Sequence, residues 1–306
     1  MSQTLIALLA TGGTIACAKD DSGALVPRIT GAGLVADLDI PGVEFRIVEV
    51  KALDSSAMTL SDVQDLAVVV GQQDADPAVD GILITHGTDS LEETALALDL
   101  LDFHTPIVLT GAQRPFDDEQ PDGPANLRLS VESLCSQKDA SPSPGVHIVF
   151  GSQVLAARGA YKRHTEDLEA FASLALPRPR PVSIGATSPV DEQSSFGAKR
   201  VEIVSSPLLV DACIAAGVDG IVVPGKGSGN VSPEMAAAMR RAPMPVVLCT
   251  RVPEGPVASI YGGDGGGATL AKHGIMSTNL RAPQARIALA MGLAAGLTGE
   301  ELRALL

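Results

Sequence analysis

What most constrains the fold of this chain is a rhythm: short β-branched apolar runs alternate with longer stretches of helical periodicity. The runs 5–10, 44–50, 80–85, 106–110, 146–150, 201–204, 219–223 and 246–249 have the length of strands. Between them, 59–72 places Leu60, Val63, Ala67 and Val70 near one helical face. In the same way 89–102 aligns Leu91, Ala95, Leu98 and Leu101. Strand and helix taken in turn predict an α/β fold with a mainly parallel sheet covered by helices. With 306 residues the chain exceeds what one core usually supports, so two domains are expected. The break falls where Pro177-Arg178-Pro179-Arg180-Pro181 leads into a Ser-, Gly- and Pro-containing stretch without apolar period. This predicts a larger domain over 1–176, a linker over 177–198 and a smaller α/β domain over 199–306.

Composition narrows the function. Against 36 Asp and Glu stand only 22 Lys and Arg, a formal net charge of −14 with no basic tract. Nucleic acid and anionic membrane surfaces, which select positive footprints, are therefore not expected partners. No uncharged apolar stretch reaches the ~20 residues that span a bilayer. Met1-Ser2-Gln3-Thr4 runs into the first strand without the positive and small-residue regions of a secretory signal, which predicts a cytoplasmic protein. Cys17, Cys135, Cys213 and Cys249 are scattered among aliphatic neighbours with no C-x-x-C pair. Buried thiols are expected rather than a metal site or a disulfide framework.

The chemistry gathers where predicted strands end. Leu5 to Ala10 stops abruptly in Thr11-Gly12-Gly13-Thr14, a turn whose glycines allow close backbone approach to a ligand. Other strands lead into Asp54-Ser55-Ser56, Thr85-His86-Gly87-Thr88-Asp89-Ser90 and Thr110-Gly111-Ala112-Gln113-Arg114-Pro115. In a parallel sheet these ends point the same way, which would collect Thr11, Ser55, Thr88 and Asp89 along one rim. Each piece also has an ordinary reading. Asp89 suits the N-cap of the following helix, His86 a buried structural imidazole, Lys162 a solvated surface ammonium and Asn230 a cap before Pro233.

Thr11-Gly12-Gly13-Thr14-Ile15-Ala16 and His86-Gly87-Thr88-Asp89-Ser90-Leu91 resemble the two signature motifs of the bacterial-type L-asparaginases, the asparaginase/glutaminase family. Further likenesses run in order through the chain: Asp54-Ser55-Ser56, Gly111 to Pro115, Asp122-Gly123-Pro124 with Asn126-Leu127, Arg158 to Lys162, Gly225 to Asn230, and Pro283 to Arg286. The resemblance implies a flavodoxin-like N-terminal domain and a smaller Rossmann-like C-terminal domain. The implied reaction is hydrolysis of L-asparagine to aspartate and ammonia through a threonine acyl-enzyme, without metal or organic cofactor. Thr11 corresponds to the nucleophile. Thr88, Asp89 and Lys162 correspond to a second catalytic group, in which a desolvated lysine takes a proton through Thr88. Which threonine attacks first stays open at this level. Asp89 would also meet the substrate's α-ammonium, and Ser55, beside Asp54 and Ser56, its α-carboxylate. The backbone near Ala112 would face the amide, and N–H groups around Gly12 and Thr88 would form the oxyanion hole. Asn230 corresponds to a residue supplied by a partner subunit, within a homo-oligomer that is commonly a dimer of dimers.

Three positions depart from the family pattern. Ser90 replaces a threonine. Lys19 to Arg28 carries no tyrosine where secreted members use one to activate the nucleophile. No glutamate stands clearly in Gly255 to Gly267 for the one a partner supplies; Glu254 and Asp264 are the candidates. Ser56, where secreted members tend to carry glutamine, matches the cytoplasmic branch. A glutaminase-asparaginase of dual specificity is the nearest competing reading, since one methylene is a weak handle. A non-catalytic amino-acid sensor on the same fold is the more distant one.

Overall fold

A computed structural model describes residues 3–137, 145–182 and 195–306. They fall into two compact units that divide after Ala175. Most of the 177–198 stretch, expected to be a linker, lies outside the described residues.

The first unit contains β1 (Thr4–Gly12), β2 (Cys17–Lys19), β3 (Leu25–Pro27), α1 (Gly31–Val35), β4 (Val43–Leu53), α2 (Leu60–Asp74), β5 (Gly81–Thr85), α3 (Leu91–Asp99), β6 (Ile107–Thr110), α4 (Gly123–Gln137), β7 (Val146–Phe150), β8 (Gln153–Ala156), β9 (Ala160–Lys162) and β10 (Phe171–Ser173). Its main sheet runs β4-β1-β5-β6-β7-β8, parallel except for the closing β7–β8 pair. Counting only the parallel strands, the order is 2-1-3-4-5, the flavodoxin-like arrangement. β1 is an interior strand, paired on both sides, and Ile6, Ala7, Leu8 and Leu9 have no exposed surface. That explains why it reads as an unbroken apolar run instead of an alternating one. Helix α2 starts on a capping box in which the Thr59 hydroxyl accepts from Asp62 N and the Asp62 carboxylate accepts from Thr59 N. Such caps contribute about 1 kcal/mol. Its apolar face (Leu60, Val63, Leu66, Ala67 and Val70) is buried, as the periodicity predicts.

The second unit contains β11 (Val201–Ile203), α5 (Pro207–Ala216), β12 (Gly220–Gly225), α6 (Pro233–Arg241), β13 (Val246–Thr250), α7 (Gly267–Lys272), β14 (Met276–Ser277), α8 (Ala282–Ala294) and α9 (Gly299–Leu305). Its four strands lie side by side in chain order, all parallel. Val223, Leu248, Met235, Met239 and Leu270 belong to one buried cluster. The mixed α/β class follows the strand–helix rhythm of the sequence, and a larger and a smaller unit agree with the length of the chain.

The thiols differ from expectation. Only Cys249 is buried; Cys17 and Cys213 are half-buried and Cys135 is exposed. Cys135 lies on α4 two residues from its end, so an aliphatic sequence neighbourhood there does not mean an interior position. Among the described residues no helix is long and apolar enough to cross a membrane.

Candidate active site

The site is built on the switch point of the first sheet, where β4 lies to one side of β1 and β5 to the other. Open α/β sheets bind ligands outside the carboxyl ends of such strands. Thr11 sits near the end of β1, where the register with β4 shifts between Ala10 and Gly12. A shift of this kind bends the strand locally and re-aims its side chain. Thr11 is buried, and its hydroxyl donates to Thr85 O at 2.8 Å.

The glycines explain how the turns come together. A Cβ on Gly13 would lie 2.4 Å from both N and Cα of Gly87, and one on Gly87 would lie 2.4 Å from the Ser55 hydroxyl oxygen. A Cβ on Gly111 would meet His86 O at 2.4 Å. The turns after β1, β4, β5 and β6 are therefore pressed against one another with no room for a side chain. This brings Thr11, Ser55, Thr88 and the buried Ala112 to one rim.

Asp89 is not a helix cap. The N-cap of α3 is Ser90, and the Asp89 carboxylate instead accepts from Lys162 Nζ at 2.9 Å. Lys162 is not a solvated lysine either: its side chain is 20% exposed, and Nζ also donates to Thr88 Oγ1 at 2.8 Å. Because Thr88 accepts this bond, its own hydroxyl hydrogen is left for a further acceptor. Ser55 is buried and ties the same turn twice: its hydroxyl accepts from Asp89 N at 3.1 Å, and its carbonyl accepts from Ser90 Oγ at 2.7 Å. Ser90 thus does the work of a hydroxyl where the family pattern has threonine. Asp54 shapes the turn, its carboxylate accepting from Ser56 N at 3.1 Å, while Ser56 is exposed.

His86 is structural. It is fully buried, Nδ1 faces Gly87 O at 2.7 Å, and Nε2 lies 3.0 Å from Thr94 Oγ1. Nδ1 must carry the hydrogen to meet a carbonyl, so Nε2 accepts from the threonine. Burial lowers the pKa of the imidazole to about 4, against the pull of the Gly87 carbonyl, and keeps it neutral near pH 7. The loop after β6 is held by Asp122, which accepts from Gln113 N and Arg114 N, each at 2.9 Å. Asn126 adds bonds to Gly111 O and from Gly151 N. These residues, matched in sequence without an assigned role, place Ala112.

The Lys19 to Arg28 segment that lacks a tyrosine forms most of the β2–β3 hairpin. It is anchored by Arg28 N and Ile29 N donating to Ala16 O, and by Lys19 N donating to Asp117. In the second unit, the Asn230 side chain accepts from Gly267 N at the start of α7, while Ser232 caps α6 through Met235 N. The cap before Pro233 is thus Ser232, not Asn230. Glu254 and Asp264 are exposed in the loop between β13 and α7.

One buried acid escaped the sequence reading. Glu92, in the first turn of α3, accepts a hydrogen bond from the backbone N of Lys162. Two glutamates opening a helix read as ordinary partners of its positive end; nothing local says that one turns inward.

A flavodoxin-like sheet with hydroxyls and a lysine at its switch point defines an α/β protein with a small-molecule site at the strand ends. Comparison with known proteins makes this specific. Residues 5–190 match the family model for the asparaginase N-terminal domain, and 204–306 that for the glutaminase/asparaginase C-terminal domain. A probable L-asparaginase of Deinococcus radiodurans is 34% identical, over 97% of this chain and 95% of its own. A glutaminase-asparaginase of Acinetobacter glutaminasificans is 32% identical, over 82% of this chain and 84% of its own. Among solved structures, a probable cytoplasmic L-asparaginase from Campylobacter jejuni superposes with TM-score 0.82 at 27% identity, covering 99% of both chains. The chain belongs to the asparaginase family.

Proposed function

We propose that this protein hydrolyses the side-chain amide of L-asparagine to aspartate and ammonia. The observation that carries the reading is Lys162 Nζ bridging Thr88 Oγ1 and Asp89 at 2.8 and 2.9 Å, the Thr88 turn being packed against the one that bears Thr11. Thr11 attacks the amide carbon; the C–N bond breaks, and ammonia leaves with the proton that the hydroxyl gives up. Water then cleaves the resulting ester, releasing aspartate and restoring the threonine. A threonine hydroxyl is a poor nucleophile unless a neighbour takes its proton, and the Thr85 carbonyl it bonds at rest is not a base. Activation therefore involves Thr88 and Lys162, or a group that closes over the site from the hairpin at Lys19 to Arg28.

The remaining groups orient substrate. The Asp89 side chain is 55% exposed, which leaves it open to an α-ammonium. The Ser55 hydroxyl hydrogen, unspent in the bond from Asp89 N, suits an α-carboxylate, with Asp54 and Ser56 completing that turn. The backbone at Ala112 faces the amide, and N–H groups around Gly12 and Thr88 meet the developing oxyanion. Asn230 serves the site of a partner copy in a homo-oligomer, a dimer of dimers by family likeness. The likeness of Asp54-Ser55-Ser56 to the cytoplasmic branch supports a cytoplasmic location. Residues 1–176, 177–198 and 199–306 form the N-terminal domain, the linker and the C-terminal domain.

Ammonia release from L-asparagine, L-glutamine and their D-forms tests the reading. The highest kcat/KM is expected for L-asparagine; one methylene in the pocket is worth ~1–3 kcal/mol of discrimination. Glutamine turned over equally well would instead establish the dual specificity carried by the Acinetobacter relative's name.

A further inference from the structure

We propose that Glu92 is a positioning residue for Lys162: its buried carboxyl holds the lysine's backbone N–H and thereby sets where Nζ stands against Thr88. This rests on the reading above that Lys162 and Thr88 take part in the reaction.

The geometry is a grip at both ends of one side chain. Thr88, Asp89 and Glu92 lie within five consecutive residues; the first two hold Nζ, and the third holds the main-chain N of the same lysine. A lysine carries ~2 kcal/mol of rotamer entropy, so fixing its ammonium also requires a fixed origin for its stem. Strand pairing supplies only part of it: β9 is three residues long and, among the described residues, pairs with β10 in a two-stranded ribbon that packs on the main sheet through Phe171 against Phe150. The Glu92 contact joins this ribbon to the first turn of α3, which follows directly from the Thr88-Asp89 turn. Lysine and threonine are thereby referenced to one rigid element.

Burying a carboxyl for this contact is costly. Glu92 is only 7% exposed, and burial raises its pKa to about 7. Among the charged groups acting on it are Glu93, which adds to the rise, and Lys162, which opposes it through both its backbone N–H and its charge. Either form of the carboxyl keeps an oxygen that accepts the Lys162 N–H, so the hold does not depend on charge. A solvent-facing glutamate would satisfy the helix end equally well. The inward rotamer is explained by what it grips.

The test compares Glu92→Gln, which keeps the accepting oxygen at the same reach, with Glu92→Asp, which keeps the charge but falls one carbon short. Steady-state ammonia release from L-asparagine would be measured per folded enzyme, with Lys162→Met in parallel. Glu92→Gln should stay within about threefold of wild-type kcat, while Glu92→Asp falls at least about tenfold, with KM changed less than about threefold in both. Wild-type kcat in Glu92→Asp, or an aspartate variant more active than the glutamine one, would overturn the proposal. So would a loss expressed mainly in KM. Full activity in Lys162→Met would overturn the catalytic reading beneath it and Glu92's role with it. An inactive Lys162→Met beside an unimpaired Glu92→Asp would overturn the positioning role alone.

Discussion

At the scale of single residues, the site is governed as much by what is missing as by what is present. Gly13 has φ 80°, and a Cβ there would strike the Gly87 backbone, which has no flexible end to move aside. Gly13→Ala should therefore destabilise the protein by about 2–5 kcal/mol through strain and overpacking together. A urea midpoint equal to wild type would show that the turns do not meet as described. Thiol reactivity offers a second check. Burial raises the Cys249 pKa to about 12, so almost no thiolate exists near neutral pH. Exposed Cys135 should react with an aromatic disulfide reagent in the native protein, whereas Cys249 should react only after unfolding. Four equal, rapid native reactions would contradict this. Thr11, Thr88 and Asp89 were legible in sequence because parallel strand ends face one way. The inward Glu92 was not, since a glutamate's rotamer leaves no trace in local pattern.

At the scale of elements, most strands of the two parallel sheets were readable and those of the short two-stranded ribbons were not. All eight predicted runs coincide with strands, whereas β2, β3, β9 and β10 are too short to show a period. This matters because β9 carries Lys162, which local pattern alone reads as a solvated ammonium and only the family resemblance places with Thr88 and Asp89. The α3–β9 contact predicts a pH signature for folding. Glu92 ionises near its ordinary 4.5 when unfolded and about 7 when folded. Between these values the unfolded chain releases its proton first, so this residue's contribution to stability declines as pH rises, and the penalty is complete above about 7. Glutamine does not titrate. The stability of Glu92→Gln relative to wild type should therefore rise by on the order of 3 kcal/mol from below pH 4.5 to above pH 7. Chemical denaturation at both ends of the range measures it; a constant difference would mean the carboxyl is not buried as described.

At the scale of the whole molecule, the alternation of strand and helix was enough to expect the α/β class and chain length to expect two units, and the 2-1-3-4-5 order then points to where chemistry belongs. The order itself was not readable, because continuous apolar runs tell that a strand is central without telling which neighbours it has. On the proposed mechanism the hydroxyl of Thr11, at the register shift of β1, is the attacking group. Thr11→Ala removes it together with one hydrogen bond to Thr85 O, a loss of about 1 kcal/mol of stability that the fold should tolerate. The most direct measurement is ammonia release from L-asparagine by purified Thr11→Ala, read beside its circular dichroism and unfolding midpoint. A fall in kcat of at least about 10³-fold in a normally folded protein is the predicted result. Turnover at the wild-type rate would contradict it.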